Sequence, residues 1–341
     1  FISLSATIDG SVVDTKQVIV VTIEPEIKIT EATGYAVAKI AAGENLNQAA
    51  SKMIGANQKM IVLVDESHAQ NFGRLVRFKN NLASNQATVV FVLTNTTPVK
   101  YAIQASHQIE TMALANVVAM IPGKTLPNEY VIFSGHYDHL GINAKNMVNG
   151  DSIYNGANDD AAGTTAMIML SKYYKALNNN ARTIIFAAFT AEEAGGYGAQ
   201  YFSKQLDPNK VVAMFNIEMI GTESKWGKNS AYITGFDKTN MGAILQKNLD
   251  GSSFKFYPDP YTEQNLFYRS DNATLARLGV AAHTISTSKM DSEPNYHKAS
   301  DQIETLDLDN MNEIIKAIAI SAGSIVAGKD TPTRVDTSQL K

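Results

Sequence analysis

From Asn116 onward, short apolar runs alternate with stretches of helical period. Runs at Val117–Ile121, Tyr130–Ser134, Thr183–Phe189, Val212–Ile217, Ala231–Thr234 and Val280–Ile285 read as strands. Apolar positions recur at helical spacing over approximately Ala161–Leu177, Gly198–Gln205, Met241–Asn248, Asn272–Leu278 and Asn310–Val326. Buried strands separated by helices predict a largely parallel sheet covered on both faces. The expected fold class is therefore α/β, a three-layer α/β/α arrangement around a mostly parallel sheet. In such sheets ligands gather at the carboxyl ends of the strands.

Before Asn116 the pattern is different. Apolar and polar residues alternate through Val12–Glu24, and Asp9-Gly10 is a hairpin-type turn signal. Continuous apolar strands are expected at Met60–Val64 and Thr88–Leu93, with a helix from His68 to Leu82 carrying Phe72, Leu75, Val76 and Leu82 on one face. This predicts a smaller α/β accessory domain over 1–112, a main domain over 113–330 and a C-terminal tail over 331–341. No internal repeat and no low-complexity tract is present. His68 and His107 stand apart from other ligand-type residues and read as structural or solvent-facing.

Composition removes several function classes. The 341 residues are 45% hydrophobic and 18% charged, an ordinary globular balance with enough apolar material for a sizeable core. A net charge of −4 without Lys/Arg runs gives no electrostatic support for binding nucleic acid. No apolar stretch approaches the roughly 20 residues needed to span a bilayer. Cysteine is absent, which excludes disulfides, thiolate metal ligands and Cys nucleophiles together. The start at Phe1 without Met predicts that a targeting segment has been removed and that the protein is exported, periplasmic or secreted. No Gly-x-Ser-x-Gly elbow is present, which disfavours a serine hydrolase.

The unusual polar residues follow the predicted strands. Tyr130–Ser134 runs into Gly135-His136-Tyr137-Asp138-His139, and a helix opens with Gly156-Ala157-Asn158-Asp159-Asp160. Thr183–Phe189 runs into Thr190-Ala191-Glu192-Glu193-Ala194-Gly195-Gly196, Val212–Ile217 ends at Glu218, and a late loop carries Asn295-Tyr296-His297. Each piece has a bland explanation. An Asp at a helix start caps it, an adjacent Glu pair is often solvated, and a histidine after a buried strand can be hydrogen-bonded core. Glu218 is harder to dismiss, because a carboxylate closing an apolar strand rarely lies there without a partner. The combination at several strand ends points to a site of His and carboxylate ligands, which suits Zn²⁺ or, with more oxygen, Mn²⁺ or Co²⁺.

These segments resemble metallopeptidase family 28, the co-catalytic di-zinc exopeptidases of the bacterial leucyl aminopeptidase and glutamate carboxypeptidase type. The resemblance rests on Ser134–Asp138, Gly156–Gly163, Ala191-Glu192-Glu193, Ile217-Glu218-Met219 and Tyr296-His297, in the family's order, and covers roughly Asn116 to Gly328. It implies two Zn ions bridged by Asp159, with His136 and Glu218 completing one site and Glu193 and His297 the other. It further implies Glu192 as the general base acting on a water held between the metals, on a peptide substrate. Asp138 would fix the His136 imidazole, and Tyr296 would donate to the developing oxyanion. A cis Asp159–Asp160 peptide is implied as well. The accessory domain resembles the protease-associated domain found beside such peptidases.

Two departures bear on specificity. Glu218 stands where the family more often has Asp, and Asn272 stands where an aromatic residue or His is common in the Arg269-Ser270-Asp271-Asn272 segment. Arg269 is the candidate substrate-binding residue of that segment. The expected function is a zinc exopeptidase, an aminopeptidase on the ground that Glu192 and Glu218 offer acceptors for a substrate ammonium. The alternatives are a carboxypeptidase or dipeptidase of the same fold, a single-zinc glutaminyl-cyclase-like transferase, and an inactive binding ectodomain.

Overall fold

A computed structural model describes residues 2–79 and 86–340. The chain divides into two compact units, Phe1–Ala113 and Leu114–Lys341.

In the first unit the Asp9-Gly10 turn joins β1 (Ser3–Ile8) to β2 (Ser11–Val12) as an antiparallel hairpin. Both turn residues take positive φ, 47° and 82°, as such two-residue turns require. The strand expected through Val12–Glu24 is interrupted. Asp14 accepts a hydrogen bond from Lys16 N and caps a tight turn at Thr15–Gln17, which leaves β3 (Val18–Val21) as the extended part. β4 (Glu26–Thr30), β5 (Ala36–Ile40), α1 (Leu46–Gly55) and β6 (Met60–Val64) follow.

The helix expected from His68 to Leu82 is replaced by α2 (Ala69–Phe72), which tightens at Gly73 into 3₁₀ turns through Lys79. Leu82 lies outside the described residues. Three residues per turn align Phe72 with Leu75 and rotate Val76 off that face. Phe72 and Leu75 are accordingly buried and Val76 is exposed.

β7 (Val89–Leu93) and β8 (Tyr101–Ser106) complete two sheets, ordered β2-β1-β8-β4 and β3-β7-β6-β5. The two-residue strand period divides two cores. Val62, Val64 and Phe91 pack with Leu46 and Ala50 of α1, whereas Ile61, Leu63 and Val90 meet Ile27, Ile29 and Ile103 of the other sheet.

The second unit contains β9 (Val117–Ile121), β10 (Leu126–His136), β11 (Gly141–Ile142), β12 (Ile153–Tyr154), α3 (Ala162–Leu177) and β13 (Arg182–Phe189). It continues with α4 (Tyr197–Ser203), β14 (Val211–Ile217), β15 (Ser230–Ile233), α5 (Met241–Asn248), β16 (Lys255–Pro258) and α6 (Asn272–Ala276). β17 (Ala281–Ser286), α7 (Leu308–Ser321) and α8 (Gly323–Val326) close it. Among the described residues the main sheet runs β16-β15-β17-β14-β10-β13-β9. The central strands β17, β14, β10 and β13 are mutually parallel; β9 at one edge and the β15–β16 pair at the other are antiparallel to their neighbours. The sheet is mostly parallel and mixed at its edges.

Alternate strand residues face opposite layers. Val131, Phe133, Phe186 and Phe215 pack under α3, α5 and α7, while Ile132, Ile185, Met214 and Ala282 pack under α4 and α6. Every residue of β13 is buried, as a central parallel strand covered on both faces requires. Of the segment 331–341, expected as a tail, the described residues 331–340 contact this unit: Val335 is buried in the second core, and the Arg182 guanidinium reaches Thr331 Oγ1 at 2.6 Å.

Candidate active site

β13, β10 and β14 lie side by side, with His136 opposite Phe189 and Ser134 opposite Asn216. Their carboxyl ends therefore form one ledge. His136 is the last residue of β10, Glu192 and Glu193 lie just beyond β13, and Glu218 follows β14 directly. Asp159 comes from a wide turn, Ala157–Ala161, that leads into α3, and His297 comes from the loop after β17. The Asp159–Asp160 peptide is cis. Among the described non-glycine residues with positive φ, Ala191, Met219 and His297 are the ones that are neither Asn nor Asp. All three adjoin or are candidate site residues. Such backbone costs on the order of 1–3 kcal/mol each, and it clusters where function over-determines the conformation.

Two further carboxylates hold this ledge together. Both oxygens of Asp301 accept backbone N–H groups, from Asn158 at 2.8 Å and from Asp159 at 3.0 Å. Asp160, fully enclosed, accepts from the backbone of His136, Gly163 and Met219 at 3.1–3.2 Å, which ties β10, α3 and the end of β14 to one side chain. Sequence reading missed both roles. Asp160 was visible only as the neighbour of Asp159, and Asp301 sits in a polar loop with no pattern around it.

The candidate ligands converge in two groups that share Asp159. His136 Nε2 is 3.2 Å from Asp159 Oδ1, and ligand atoms of His136, Asp159 and Glu218 lie within 4.8 Å of one another. His297 Nε2 is 3.4 Å from Asp159 Oδ2 and 3.2 Å from Glu193 Oε2. Two ligands about 2.0–2.1 Å from a tetrahedral zinc are separated by about 3.3–3.4 Å. The observed separations match that spacing. Nε2 of His136 is buried and has no aligned hydrogen-bond partner among the described residues. A donor set of imidazole and carboxylate with an orphaned imidazole nitrogen fits two divalent cations.

The electrostatics agree with a site built for positive charge. Burial opposes the ionised form of Asp159, yet the His136 and His297 imidazoles beside it hold its carboxyl well below the usual range. Against its own burial, His136 is pushed well above the usual imidazole range by Asp159 and the surrounding carboxylates. Bonds to Asp159 and Glu193 raise His297 to about 10. Adjacent Glu192 and Glu193 part company. Glu193 is lowered by His139 and His297 despite burial, whereas burial and the Glu218 charge lift Glu192 to about 9.

Asp138 acts differently from expectation. Its carboxylate accepts the backbone N–H groups of Glu192 at 3.0 Å and Glu193 at 3.2 Å, so it positions the Glu pair. The His136 imidazole is held by the backbone carbonyl of Asp138, 3.0 Å from Nδ1, while the carboxylate stays 3.8 Å away. The reason is geometric: only Tyr137 separates the two residues, and the carboxylate is already engaged by the loop after β13. Tyr296 stacks on the His297 ring at 3.9 Å between centroids and lines a pocket with Glu218, Ser270 and Arg269; burial pushes its phenol up to about 12. Arg269 thus borders the site, with Nη1 3.5 Å from Gln264 Oε1. Asn272 faces the core instead. Its amide donates to Phe267 O and Ala282 O, so its departure from the family pattern is a packing matter. His139, in the quoted motif but without an assigned role, has its ring in the site, with Nδ1 2.7 Å from Glu193 Oε1.

Residues 116–321 match the family model of peptidase family M28. The chain belongs to peptidase family M28. Among curated M28-like relatives it is 29% identical over 211 residues to a probable leucine aminopeptidase of Trichophyton verrucosum, covering 59% of this chain and 54% of that protein. It is 26% identical over 254 residues to leucine aminopeptidase 1 of Paracoccidioides brasiliensis, covering 69% of this chain and 62% of that protein. The matched part thus spans little more than half the length of these relatives. Among solved structures, an aminopeptidase from Aneurinibacillus sp. strain AM-1 shares the fold at a TM-score of 0.53 with 16% identity, over 99% of this chain and 83% of that one. A zinc aminopeptidase from Bacillus subtilis also gives a TM-score of 0.53 with 16% identity, over 96% and 84%.

Proposed function

We propose that the protein is a zinc-dependent aminopeptidase that uses two Zn ions and Glu192 as general base. The observation that carries this reading is the convergence of His136, Asp159 and Glu218 on one side and the contacts of His297 with Asp159 and Glu193 on the other, where His139 also reaches Asp159 and Glu193. Zinc enters through the chemistry of the ligands and through the printed names of relatives, which include a probable zinc metalloprotease of Pyrenophora teres f. teres, 32% identical over 115 residues (33% of this chain, 23% of that protein).

Bound between these groups, the ions would supply Lewis acidity, lowering the pKa of a coordinated water from 15.7 towards about 7 and polarising the scissile carbonyl. The chain supplies the rest. Burial and the Glu218 charge favour the protonated form of Glu192, and bound cations would favour its ionised form; ionised, and positioned by the Asp138 contact to its backbone, it takes a proton from the attacking water and returns it to the leaving amine. Tyr296, stacked against His297, offers a phenol O–H to the developing oxyanion. The carboxylates of Glu192 and Glu218 accept from the substrate ammonium, which selects a free amino terminus.

One observation favours a second reading. Arg269 and Arg277 border a cleft of about 400 Å³ that also includes Glu192 and Glu193, and guanidinium groups there suit a terminal carboxylate, as a carboxypeptidase or dipeptidase needs. The test compares a short peptide with its N-acetylated form. The aminopeptidase reading expects cleavage of the free peptide alone, with its first residue released; faster cleavage of the acetylated peptide from its carboxyl end supports the second reading. Elemental analysis should find two zinc per chain, and one zinc would favour a cyclase-type site.

A further inference from the structure

We propose that the first residue released by this protein is a small one, alanine in preference to leucine, because its side chain enters a cavity of about 40 Å³. This preference rests on the aminopeptidase reading above and adds a substrate class to it.

Two spaces border the candidate site, and the proposed chemistry assigns a part of the peptide to each. Glu218 and Tyr296 line the smaller, Glu192 lines the larger, of about 400 Å³, and Arg269 and Ser270 border both. Glu218 accepts from the substrate ammonium, and Tyr296 donates to the carbonyl oxygen as it becomes an oxyanion. The α-carbon of the first residue is bonded both to the ammonium nitrogen and to that carbonyl carbon. Its side chain is therefore directed into the space that touches Glu218 and Tyr296. Glu192 returns a proton to the leaving amine, so the residues beyond the cut lie in the larger space.

The rest of the smaller cavity is firmly built. Tyr232, Leu266 and Met290 line it, and with Tyr261 they form one apolar cluster. The Tyr232 hydroxyl donates to Ser288 O at 3.1 Å, and the Tyr261 ring meets the Tyr232 ring edge-on with centroids 5.7 Å apart. Met290 is held at both ends. Its carbonyl accepts from Gln264 Nε2 at 3.0 Å and its sulfur from Ser288 Oγ at 3.3 Å. Tyr232 and Leu266 are buried, so a side chain too long for the cavity has to displace packed neighbours. The volume sets the limit. A cavity of about 150 Å³ takes a benzene ring, roughly 25 Å³ for each carbon. On that scale about 40 Å³ holds one or two heavy atoms, as in alanine or serine, whereas the four side-chain carbons of leucine need roughly 100 Å³.

The experiment compares kcat/KM of the zinc-loaded full chain on alanyl, valyl and leucyl amides of one fluorogenic amine, which keeps the leaving group constant. Alanine is expected to exceed leucine by about 10–200-fold, the scale on which apolar pockets discriminate by size, with valine between them. Met290→Ala and Leu266→Ala shorten the lining and are expected to narrow the alanine-to-leucine ratio about tenfold or more. A ratio taken within one preparation does not depend on how much of a variant folds. Wild type that cleaves the leucyl amide as fast as the alanyl amide overturns the proposal. So does a ratio that stays at the wild-type value in both variants, which would place the side chain elsewhere. If wild type cleaves none of the three amides, the aminopeptidase reading itself fails, and this preference falls with it.

Discussion

Glu192 and Glu193 are chemically identical neighbours that the fold sends to different tasks. Glu193 lies against two imidazoles, His139 and His297, that lower its carboxyl despite burial; Glu192 lies where burial and the Glu218 charge favour its protonated form, up to about 9. Changing Glu192 to Gln is expected to leave zinc content and fold intact while kcat falls about 10²–10⁴-fold; wild-type turnover in that variant would exclude it as the base. The imidazoles make a second prediction. His297, at about 10, carries a proton at pH 7.5 in the metal-free protein, and zinc accepts only neutral imidazole. Zinc uptake should therefore release protons, and apparent affinity should rise with pH until near pH 10. Calorimetry in buffers of different ionisation enthalpy reads this directly, and a buffer-independent heat would contradict it. At this scale the sequence was legible where a residue type at a strand end was improbable for packing, as with His136 and Glu218. It was silent on Asp301, because its role depends on which backbone amides the fold brings near it.

The elements matter because three adjacent strands stop at one level. β10, β13 and β14 were readable as apolar runs, since both faces of a central parallel strand are buried and few polar positions interrupt them. β16 was not, being a short edge strand of alternating exposure that ends at Pro258. The helix expected at His68 failed because the apolar positions Phe72, Leu75 and Val76 suit an α-helix, whereas the chain winds them at three residues per turn. Packing between elements makes its own prediction at Gly163, in the first turn of α3. A Cβ there would strike the Ile217 carbonyl and approach both Asp160 carboxylate oxygens at 2.5 Å. Gly163→Ala is expected to destabilise by about 1–3 kcal/mol in urea unfolding and to lower zinc retention, because α3, the Asp159 turn and the end of β14 meet there. An unchanged midpoint would show that these elements yield more easily than their spacing allows.

At the scale of the whole molecule, the proposed two-zinc site would stabilise the unit that presents it, because an ion that binds only the folded chain favours that state. Zinc at one hundred times its dissociation constant adds about 2.7 kcal/mol per site, so chelation should lower the melting temperature of the wild-type chain. Function also concentrates the central claim into one titration. Metal-free protein is given zinc in measured equivalents while the release of the first residue from a short peptide with a free amino terminus is followed. The account predicts no turnover at the start, a rise that saturates at two zinc per chain, and no release from the N-acetylated peptide throughout. Turnover by the metal-free protein, or saturation at one zinc, would contradict it.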